Sequence, residues 1–269
     1  MRLGIGLSLG MMQQAAVASA DLLSVAQSVG AVLLFDMYTP AAYTESGGNV
    51  TAVVNRITAV SHASTGINPP LFSATGLNGG PCWTSDGTDD KRFAGTEAAV
   101  LALSQNASAH EVFAVTQFNV ADSIGAIFGA SGAATQRSWG GQTGTGAGRW
   151  RSEFINDSGT VSTLDTTVTF PSDTNPHLFN FRRGASTSLY VDQVVTSINN
   201  TAQDPTAGGT ETMTLDTYYW GHTQTSGSLE INGRNSLLVV TPPLDSTQRA
   251  SLIAAMAAHD PALDGIINP

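Results

Sequence analysis

The chain has 269 residues, 11 of them basic and 21 acidic, so its formal net charge is −10. This length can bury a full hydrophobic core, and the single cysteine, Cys82, excludes an intrachain disulfide and a cysteine-based metal site. The acidic balance argues against nucleic-acid backbones and anionic membranes as partners, and a charged fraction of only 12% favours many short strands over a helical bundle.

The opening segment, MRLGIGLSLGMMQQAAVASA, has the order of a secretory signal, with Arg2, an apolar stretch and a small-residue end. We expect it to be retained, and we expect one or two short helices between residues 11 and 29, with Gly30 as the helix stop. Residues 1–30 are therefore interpreted as a helical anchoring segment, because their apolar side chains have no evident place in a β-sandwich. No apolar run elsewhere is long enough to predict a membrane span.

The residue pattern changes at Ala31, where the short apolar run AVLLFDM predicts a buried strand. Further strands are predicted at residues 50–57, 111–118, 126–128, 150–155, 161–164, 177–182, 188–191, 213–220 and 237–240. Turn-forming residues bound almost all of them, and no long helix separates them. This spacing indicates an antiparallel sandwich or jelly roll rather than a parallel α/β sheet.

A short amphipathic helix is predicted at about residues 245–259. Asp245 or Ser246 can cap it, and Leu252, Ile253 and Met256 share one face. We expect this helix to pack at the sheet edge. The predicted fold is all-β: an antiparallel β-sandwich over residues 31–269, with a helical N-terminal segment and a closing helix.

Four stretches, taken in order, resemble the concanavalin A-like and laminin-G-like jelly rolls of phage virion proteins and secreted glycan-binding proteins. They are LLFDMYTPAAYTESGGNVTAVVNRI, NPPLFSATGLNGGPCWTSDGTDD, HLFNFRRGASTSLYVDQVV and YYWGHTQTSGSLEINGRNSLLVV, and the resemblance covers residues 31 to 258. The family places an aromatic residue where Ser85 stands, and Trp83 can replace it on the same strand face. Gln193 stands where the family prefers glycine. The opening MRLGIGLSLG is similar to the openings of phage virion proteins, which favours a phage source.

Three aspartates, Asp86, Asp89 and Asp90, lie close together in DGTDD. Asp-Gly after a strand predicts a solvated turn, because glycine accepts positive φ and aspartate can bond its local backbone. The alternative is a calcium site at the rim of a jelly roll, with these carboxylates as ligands. No other cofactor is predicted.

Catalytic signals are absent from the sequence. The glutamates lack the E-x-D-x-x-E context of related glucanases; they are Glu97, Glu111, Glu153, Glu211 and Glu230. The match of GLSLG to a nucleophile elbow lies too near the start to follow a sheet strand. The histidines show no zinc-binding spacing, and we expect them at surface or turn positions; they are His62, His110, His177, His222 and His259.

Glycan contacts are predicted from aromatic residues and arginines, since aromatic faces stack on sugars and polar side chains bond the hydroxyls. The candidates are Trp139, Trp150, Arg149, Arg151, Tyr219 and Trp220, with Tyr218 beside them. Trp139 lies in the glycine-rich stretch SWGGQTGTGAGRW, which predicts a loop at the sandwich rim. Core or hairpin packing is the alternative role for each aromatic residue.

The resemblance, together with the missing catalytic signals and the acidic, disulfide-free composition, implies a non-enzymatic phage virion protein that decorates the particle or attaches to host-surface glycans. Its expected partners are other virion proteins, reached through residues 1–30, cell-surface glycans, and further copies of itself. A secreted bacterial carbohydrate-binding protein is the first alternative, and a glycan hydrolase with an unrecognised carboxylate pair is the second.

Overall fold

The computed structural model describes residues 21–66, 68–88, 91–105, 110–119, 125–132, 137–143, 149–155, 161–165, 174–183, 188–191, 194–195, 214–222 and 230–263. It describes the backbone alone for residues 137–139, 142–143, 149–155, 161–165, 183, 188–191 and 194–195. The helices are α1 (Leu22–Ser28), α2 (Ala98–Ser104) and α3 (Ser246–His259). The strands are β1 (Leu33–Asp36), β2 (Tyr43–Ser46), β3 (Asn49–Asn55), β4 (Val60–Thr65), β5 (Leu71–Leu77), β6 (Gly80–Asp86), β7 (Arg92–Gly95), β8 (His110–Phe118), β9 (Gly125–Gly132), β10 (Arg137–Thr143), β11 (Arg149–Ile155), β12 (Val161–Asp165), β13 (His177–Arg183), β14 (Ser188–Val191), β15 (Val194–Val195), β16 (Leu215–Trp220) and β17 (Asn232–Thr241).

The strands form two sheets that pack face to face, and the described pairings are antiparallel. The back sheet runs β15-β14-β13-β8-β17-β6-β5, with β1 also beside β17. The front sheet runs β12-β11-β10-β9-β16-β7-β4. Strand β3 pairs with β2, β4 and β5, so it joins the two sheets at one side. The predicted all-β antiparallel sandwich with a C-terminal helix is confirmed.

Aromatic residues fill the space between the two sheets. Trp83 of the back sheet packs edge-to-face against Phe93 and Trp220 of the front sheet, with ring centroids 5.6 and 5.3 Å apart. Trp220 also stacks on Phe35 of β1. Such aromatic pairs add to the free energy gained by burial. Trp83 thus supplies the core aromatic residue that Ser85 cannot.

A second apolar layer covers the other face of the back sheet. In β8, Ala114 belongs to the core between the sheets, whereas Phe113 and Val115 belong to a cluster with the helices. In β17, Leu238 belongs to the core between the sheets, and Leu237 belongs to the cluster with the helices. A sheet covered on both faces needs apolar residues at successive positions, which explains the unbroken runs VFAV and LLVV.

Helix α1 belongs to this second layer. Leu22 and Ala26 are buried in the same cluster as Leu252 and Met256 of α3. The prediction that the apolar residues before Gly30 have no place in the sandwich is therefore wrong for residues 22–29. The described structure does not extend to residues 1–20, where the rest of the predicted anchor lies.

Helix α3 begins as predicted and packs differently. Asp245 accepts a hydrogen bond from the backbone of Gln248 at 2.8 Å, and Gln248 bonds back to the backbone of Asp245, which completes a capping box. The helix lies on a sheet face and not at the edge, because Leu252 and Met256 need an apolar surface to cover.

Strands β5 and β6 are joined by a two-residue turn at Asn78 and Gly79, both of which have positive φ. Cys82 is buried, and burial raises the pKa of its thiol to about 12, as suits a core residue. The predicted strands do not include β2, β4, β5, β7, β10 or β15, and helix α2 was not predicted.

Candidate functional site

The aspartate-rich stretch begins as a hydrogen-bonded turn. Asp86 ends β6, and its Oδ1 accepts hydrogen bonds from Lys91 Nζ and Thr88 Oγ1, both at 2.7 Å. The hydrogen bond from Lys91, followed by that from Thr88, lowers the pKa of Asp86 to about 2. Gly87 has the positive φ that the turn requires. The predicted turn is confirmed for these residues.

The calcium prediction rests on residues outside the described ones, namely Asp89 and Asp90. Among the residues that are described, no three His, Cys, Asp or Glu side chains come together as a metal site. Calcium binding at this turn stays a prediction.

Four of the predicted glycan contacts lie on one hairpin of the front sheet. Trp139 belongs to β10, and Arg149, Trp150 and Arg151 belong to β11, its antiparallel partner. The prediction of a glycine-rich loop around Trp139 is wrong for residues 137–143, which form strand β10, with a shift in its register against β9 between Gly140 and Gly141. The hairpin therefore holds these residues at fixed register positions.

Two glycines of β10 explain why this strand resembles a loop in the sequence. A Cβ atom at Gly140 would lie 2.8 Å from the ring of Phe181 in the back sheet. A Cβ atom at Gly141 would lie 2.1 Å from the carbonyl oxygen of Gly125 in β9. Glycine is used here because neighbouring groups approach the strand closely.

The strand register sorts the candidates between the two faces of the front sheet. Opposed residues in antiparallel strands share a face, and successive residues alternate between faces. Trp139 is opposite Gly129, which is opposite Tyr219, and it is also opposite Glu153 of β11. We call the face that carries Tyr219 and Trp139 the outer face of the front sheet. Trp220 belongs to the inner face, which packs on the back sheet.

The same rule places the rest of the hairpin. Arg149 and Arg151 are separated from Glu153 by even numbers of residues in β11, so they belong to the outer face with Trp139. Trp150 lies between these two arginines in β11, so it belongs to the inner face. The register places Trp139, Arg149 and Arg151 on one face, with Arg151 diagonal to Trp139 and Arg149 four positions from Glu153, the residue opposite Trp139. It separates Trp150 from them.

Tyr219 lies below this surface and not on it. It is 1% exposed, the guanidinium of Arg92 lies 5.5 Å from its ring centroid, and His222 packs at its edge. The prediction of direct sugar contact is wrong for Tyr219 and for Trp220, which is fully buried in the core. Trp220 lies between the two sheets, and Tyr219 is buried beside Arg92 and His222.

Sequence reasoning missed Arg137 and Arg92, which belong to the same outer face. Arg137 is opposite Ser131 and Ile155 in register, two positions before Trp139, and Arg92 contacts Tyr219. The alternation of Arg137 and Trp139 could have indicated a strand. The glycines that follow hid that signal.

Glu97 forms a polar network on the side of the sandwich where β3 joins the two sheets. Its carboxylate accepts hydrogen bonds from Tyr218 OH at 2.5 Å, from Asn55 Nδ2 at 3.1 Å and from Thr58 Oγ1, and it lies 2.8 Å from His62 Nε2. Burial raises the pKa of Glu97, but these hydrogen bonds outweigh it, so the pKa is lowered. Burial, then the bond to Glu97, raises the pKa of Tyr218. A buried phenol of raised pKa is a structural donor and not a nucleophile.

Two further carboxylates fix α3 to the back sheet. Asp36 of β1 bonds Arg56 at 2.5 Å and His259 at 3.0 Å. Glu111 of β8 is fully buried and accepts two hydrogen bonds from Arg249, at 2.5 and 3.2 Å. Each carboxylate joins separate elements of the fold.

The histidine prediction is largely wrong. Four of the five are buried, and His259 is partly buried; the buried ones are His62, His110, His177 and His222. They lie in strands or just after one, where an aromatic ring contributes packing as well as hydrogen bonds.

No helix in the described ranges has the length and apolar character needed to cross a bilayer.

No protein-family model matches the chain, and no curated protein sequence matches it. Solved structures of β-sandwich domains do resemble it. The binding domain of Paraclostridial Mosquitocidal Protein 1 has a TM-score of 0.57 and 6% identity, with 87% of this chain and 53% of that one covered. Domain 4 of AbnA, a GH43 extracellular arabinanase from Geobacillus stearothermophilus in complex with arabinotriose, has a TM-score of 0.54 and 11% identity, with 83% and 98% covered.

Trypanosoma rangeli sialidase, in complex with 2,3-difluorosialic acid, has a TM-score of 0.51 and 14% identity, with 86% of this chain covered. The chain spans about a third of that sialidase, 34% of its length. These likenesses show the β-sandwich fold.

Proposed function

We propose that this chain is a lectin-like, non-enzymatic domain that binds glycans on the outer face of its front sheet. The observation that carries the proposal is the placement of Trp139, Arg149 and Arg151 on one face of the β10–β11 hairpin. An indole face stacks on a sugar ring while arginines bond its oxygen atoms. The similar arabinanase domain, matched over 98% of its length, is described in complex with arabinotriose, which supports the proposal.

The absence of catalysis is supported by the state of the carboxylates. Glu97, Glu111, Asp36 and Asp260 each accept hydrogen bonds that join separate elements. A glycosidase needs two carboxyl groups free to act on opposite sides of a glycosidic bond. These four carboxylates are engaged in structural hydrogen bonds, so they do not supply such a catalytic pair.

We further propose that the domain is carried on a phage virion, where it decorates the particle or attaches it to host glycans. The ordered resemblance to virion jelly rolls and the opening segment MRLGIGLSLG support this location. Residues 1–20 would contact neighbouring virion proteins. Labelling purified particles with an antibody to the chain tests the location; protein found only free in the medium would favour the secreted alternative.

The glycan-binding surface can be tested with a matched pair of tryptophan variants. Trp139→Ala should abolish glycan binding, measured by calorimetry against a panel that includes arabinotriose, and should leave the far-UV circular dichroism spectrum unchanged. Trp150→Ala is the control, because Trp150 shares the hairpin but belongs to the inner face by register. We expect it to lower the melting temperature and to retain binding at low temperature.

Equal binding by Trp139→Ala and the parent protein would contradict the proposed surface. Release of shorter sugars from the panel, abolished by a single Glu→Gln change, would contradict the proposal that the domain is not an enzyme.

A further inference from the structure

Asn235 is a polar side chain that lies inside the apolar core. It is fully buried in β17, and the strand register places it opposite Trp83 of β6 and Thr116 of β8. Trp83 belongs to the core between the two sheets, and opposed residues of neighbouring strands share a face. The amide of Asn235 therefore lies on the inner face of the back sheet.

The backbone changes its pairing partner next to Asn235. Residues 232–235 of β17 pair with β6, whereas residues 237–240 pair with β1. Ser236 lies between these two runs, where the register of β17 against β8 shifts. This extra residue allows Asn235 and Leu238 to share the inner face, although regular alternation would put them on opposite faces. The bulge thus directs an amide into the core.

Both polar atoms of this amide, Nδ2 and Oδ1, lack a hydrogen-bond partner among the described residues. The same holds, within the described part of the chain, for the indole Nε1 atoms of Trp83 and Trp220. These two tryptophans are fully buried and meet edge to face, with ring centroids 5.3 Å apart. Three neighbouring core residues therefore present polar atoms that the described side chains and backbone do not bond.

Asn55 shows how the same fold accommodates a buried amide elsewhere. It is also fully buried, and its Oδ1 accepts hydrogen bonds from the backbone N–H groups of Leu34 and Ile57, at 3.1 and 3.0 Å. Its Nδ2 donates to the carbonyl oxygen of Val32 at 3.0 Å. Folded proteins pair almost all buried polar groups, either with protein atoms or with ordered water. The contrast with Asn55 therefore indicates that Asn235 bonds a small polar molecule.

The donors and acceptors around Asn235 match water. An indole N–H can only donate, so Trp83 and Trp220 each require an acceptor. The amide of Asn235 offers an acceptor and two donors, and Thr116 Oγ1, which donates to the carbonyl of Arg234 at 3.2 Å, can still accept. A water molecule accepts from an indole and donates to an amide oxygen at once. An anion would meet the amide oxygen as well as the donors, and burying its charge is costly.

We infer that ordered water molecules occupy the core between the sheets and bridge Asn235 to the indole N–H groups of Trp83 and Trp220. Buried water of this kind satisfies polar groups that the protein alone does not bond, and it is part of the folded structure. The bulge at Ser236 then has a role, because it holds an amide beside indoles that need an acceptor. The inference concerns the core and is independent of the proposed glycan surface.

Nuclear magnetic resonance of the ¹⁵N-labelled full chain tests the inference. Cross-relaxation between water and the N–H protons is measured in the laboratory and rotating frames. A bound water gives opposite signs in the two frames, whereas chemical exchange of the N–H proton gives the same sign. We expect opposite signs at the indoles of Trp83 and Trp220 and at Nδ2 of Asn235. The Nδ2 protons of Asn55 are the control and should show no such signal, because protein oxygens accept from that group.

Variants show whether the signal depends on the amide. Asn235→Leu removes the amide at a similar side-chain volume. We expect it to keep the ring-proton shifts of the two tryptophans and to lose most of the water cross-relaxation at the Trp83 indole. Thr116→Val removes the hydroxyl opposite Asn235, whose exchange with the solvent could imitate bound water. This variant should retain the signal.

The parent protein alone can overturn the inference. If neither indole shows cross-relaxation of bound water, the inference is wrong, and upfield indole N–H shifts would then indicate donation to aromatic rings. A signal that survives Asn235→Leu and disappears in Thr116→Val would also overturn it, because the hydroxyl would be its source. If Asn235→Leu does not fold, the comparison of the indoles with Asn55 in the parent protein decides the question.

Discussion

The residue His259 gives the fold a charge-dependent contact. Its Nε2 lies 3.0 Å from both carboxylate oxygens of Asp36. The hydrogen bond to Asp36 raises the pKa of His259 and outweighs burial, which lowers it. Asp36 has a lowered pKa, because bonds from His259, Thr39 and Tyr38 outweigh the effect of its burial.

The sign of the pH effect follows from the direction of the shift. A histidine with a raised pKa in the folded state contributes stability that is fully present below its unfolded pKa of about 6.5. That contribution is lost as pH rises through the folded pKa. His62 acts in the opposite sense, because burial lowers its pKa.

We therefore predict that the difference in unfolding free energy between the parent protein and His259→Gln shrinks as pH rises above about 6.5. Urea unfolding from about pH 5 to about pH 9 measures this difference, and His62 is present in both proteins, so its effect cancels. A difference that is constant over this range, or that grows with pH, would contradict the assigned role of His259.

Two glycines of β10 explain why part of the candidate site could not be predicted from the sequence. In SWGGQTG the glycines at 140 and 141 indicate a loop by composition, but each is required by a neighbour that is distant in sequence, the ring of Phe181 or the backbone of Gly125. No local pattern reveals such a contact. Trp139 and Arg151 could be proposed from residue chemistry alone, whereas their common face could be known only from strand register.

At the scale of elements, two ion pairs of similar length have different surroundings. Arg249 of α3 bonds Glu111, whose side chain is fully buried. Lys91 bonds Asp86, whose side chain is 64% exposed. Removing the cation leaves a buried charge unpaired in the first case and a hydrated charge in the second.

We predict that Arg249→Met lowers the free energy of unfolding by about 3 to 5 kcal/mol. Lys91→Met, the matched control, should lower it by about 1 kcal/mol or less. Chemical denaturation of both variants measures the contrast, and similar losses in the two would show that Glu111 does not depend on Arg249.

The elements themselves were predictable to different degrees. The apolar runs of β1, β8 and β17 and the capped helix α3 were predicted because their patterns are local. The unbroken apolar runs did not indicate which element covers the second face of the back sheet. Helix α1 provides part of that cover, and its short length gave no sign that it packs against α3.

At the scale of the whole molecule, the position of α1 changes the interpretation of the N-terminal segment. Leu22 and Ala26 are fully or almost fully buried against the helix layer. A deletion that reaches residue 30 would remove them from the core, whereas a deletion that ends at residue 20 spares them.

We predict that the protein lacking residues 1–20 folds with the stability of the parent and is not incorporated into particles. The protein lacking residues 1–30 should be destabilised by about 2 to 5 kcal/mol, since large buried side chains are lost. Thermal unfolding and particle purification measure the two effects. Normal incorporation of the shorter deletion would contradict the anchoring role.

The central claim is that a glycan binds on the outer face of the front sheet. The chain contains four tryptophans, so a ¹⁵N-labelled sample gives four indole N–H signals, each assigned by a Trp→Phe variant. Titration with the glycan that binds most tightly should shift the signal of Trp139 and leave those of Trp83 and Trp220, which are fully buried in the core, in place. An unmoved Trp139 signal under saturating ligand would contradict the account.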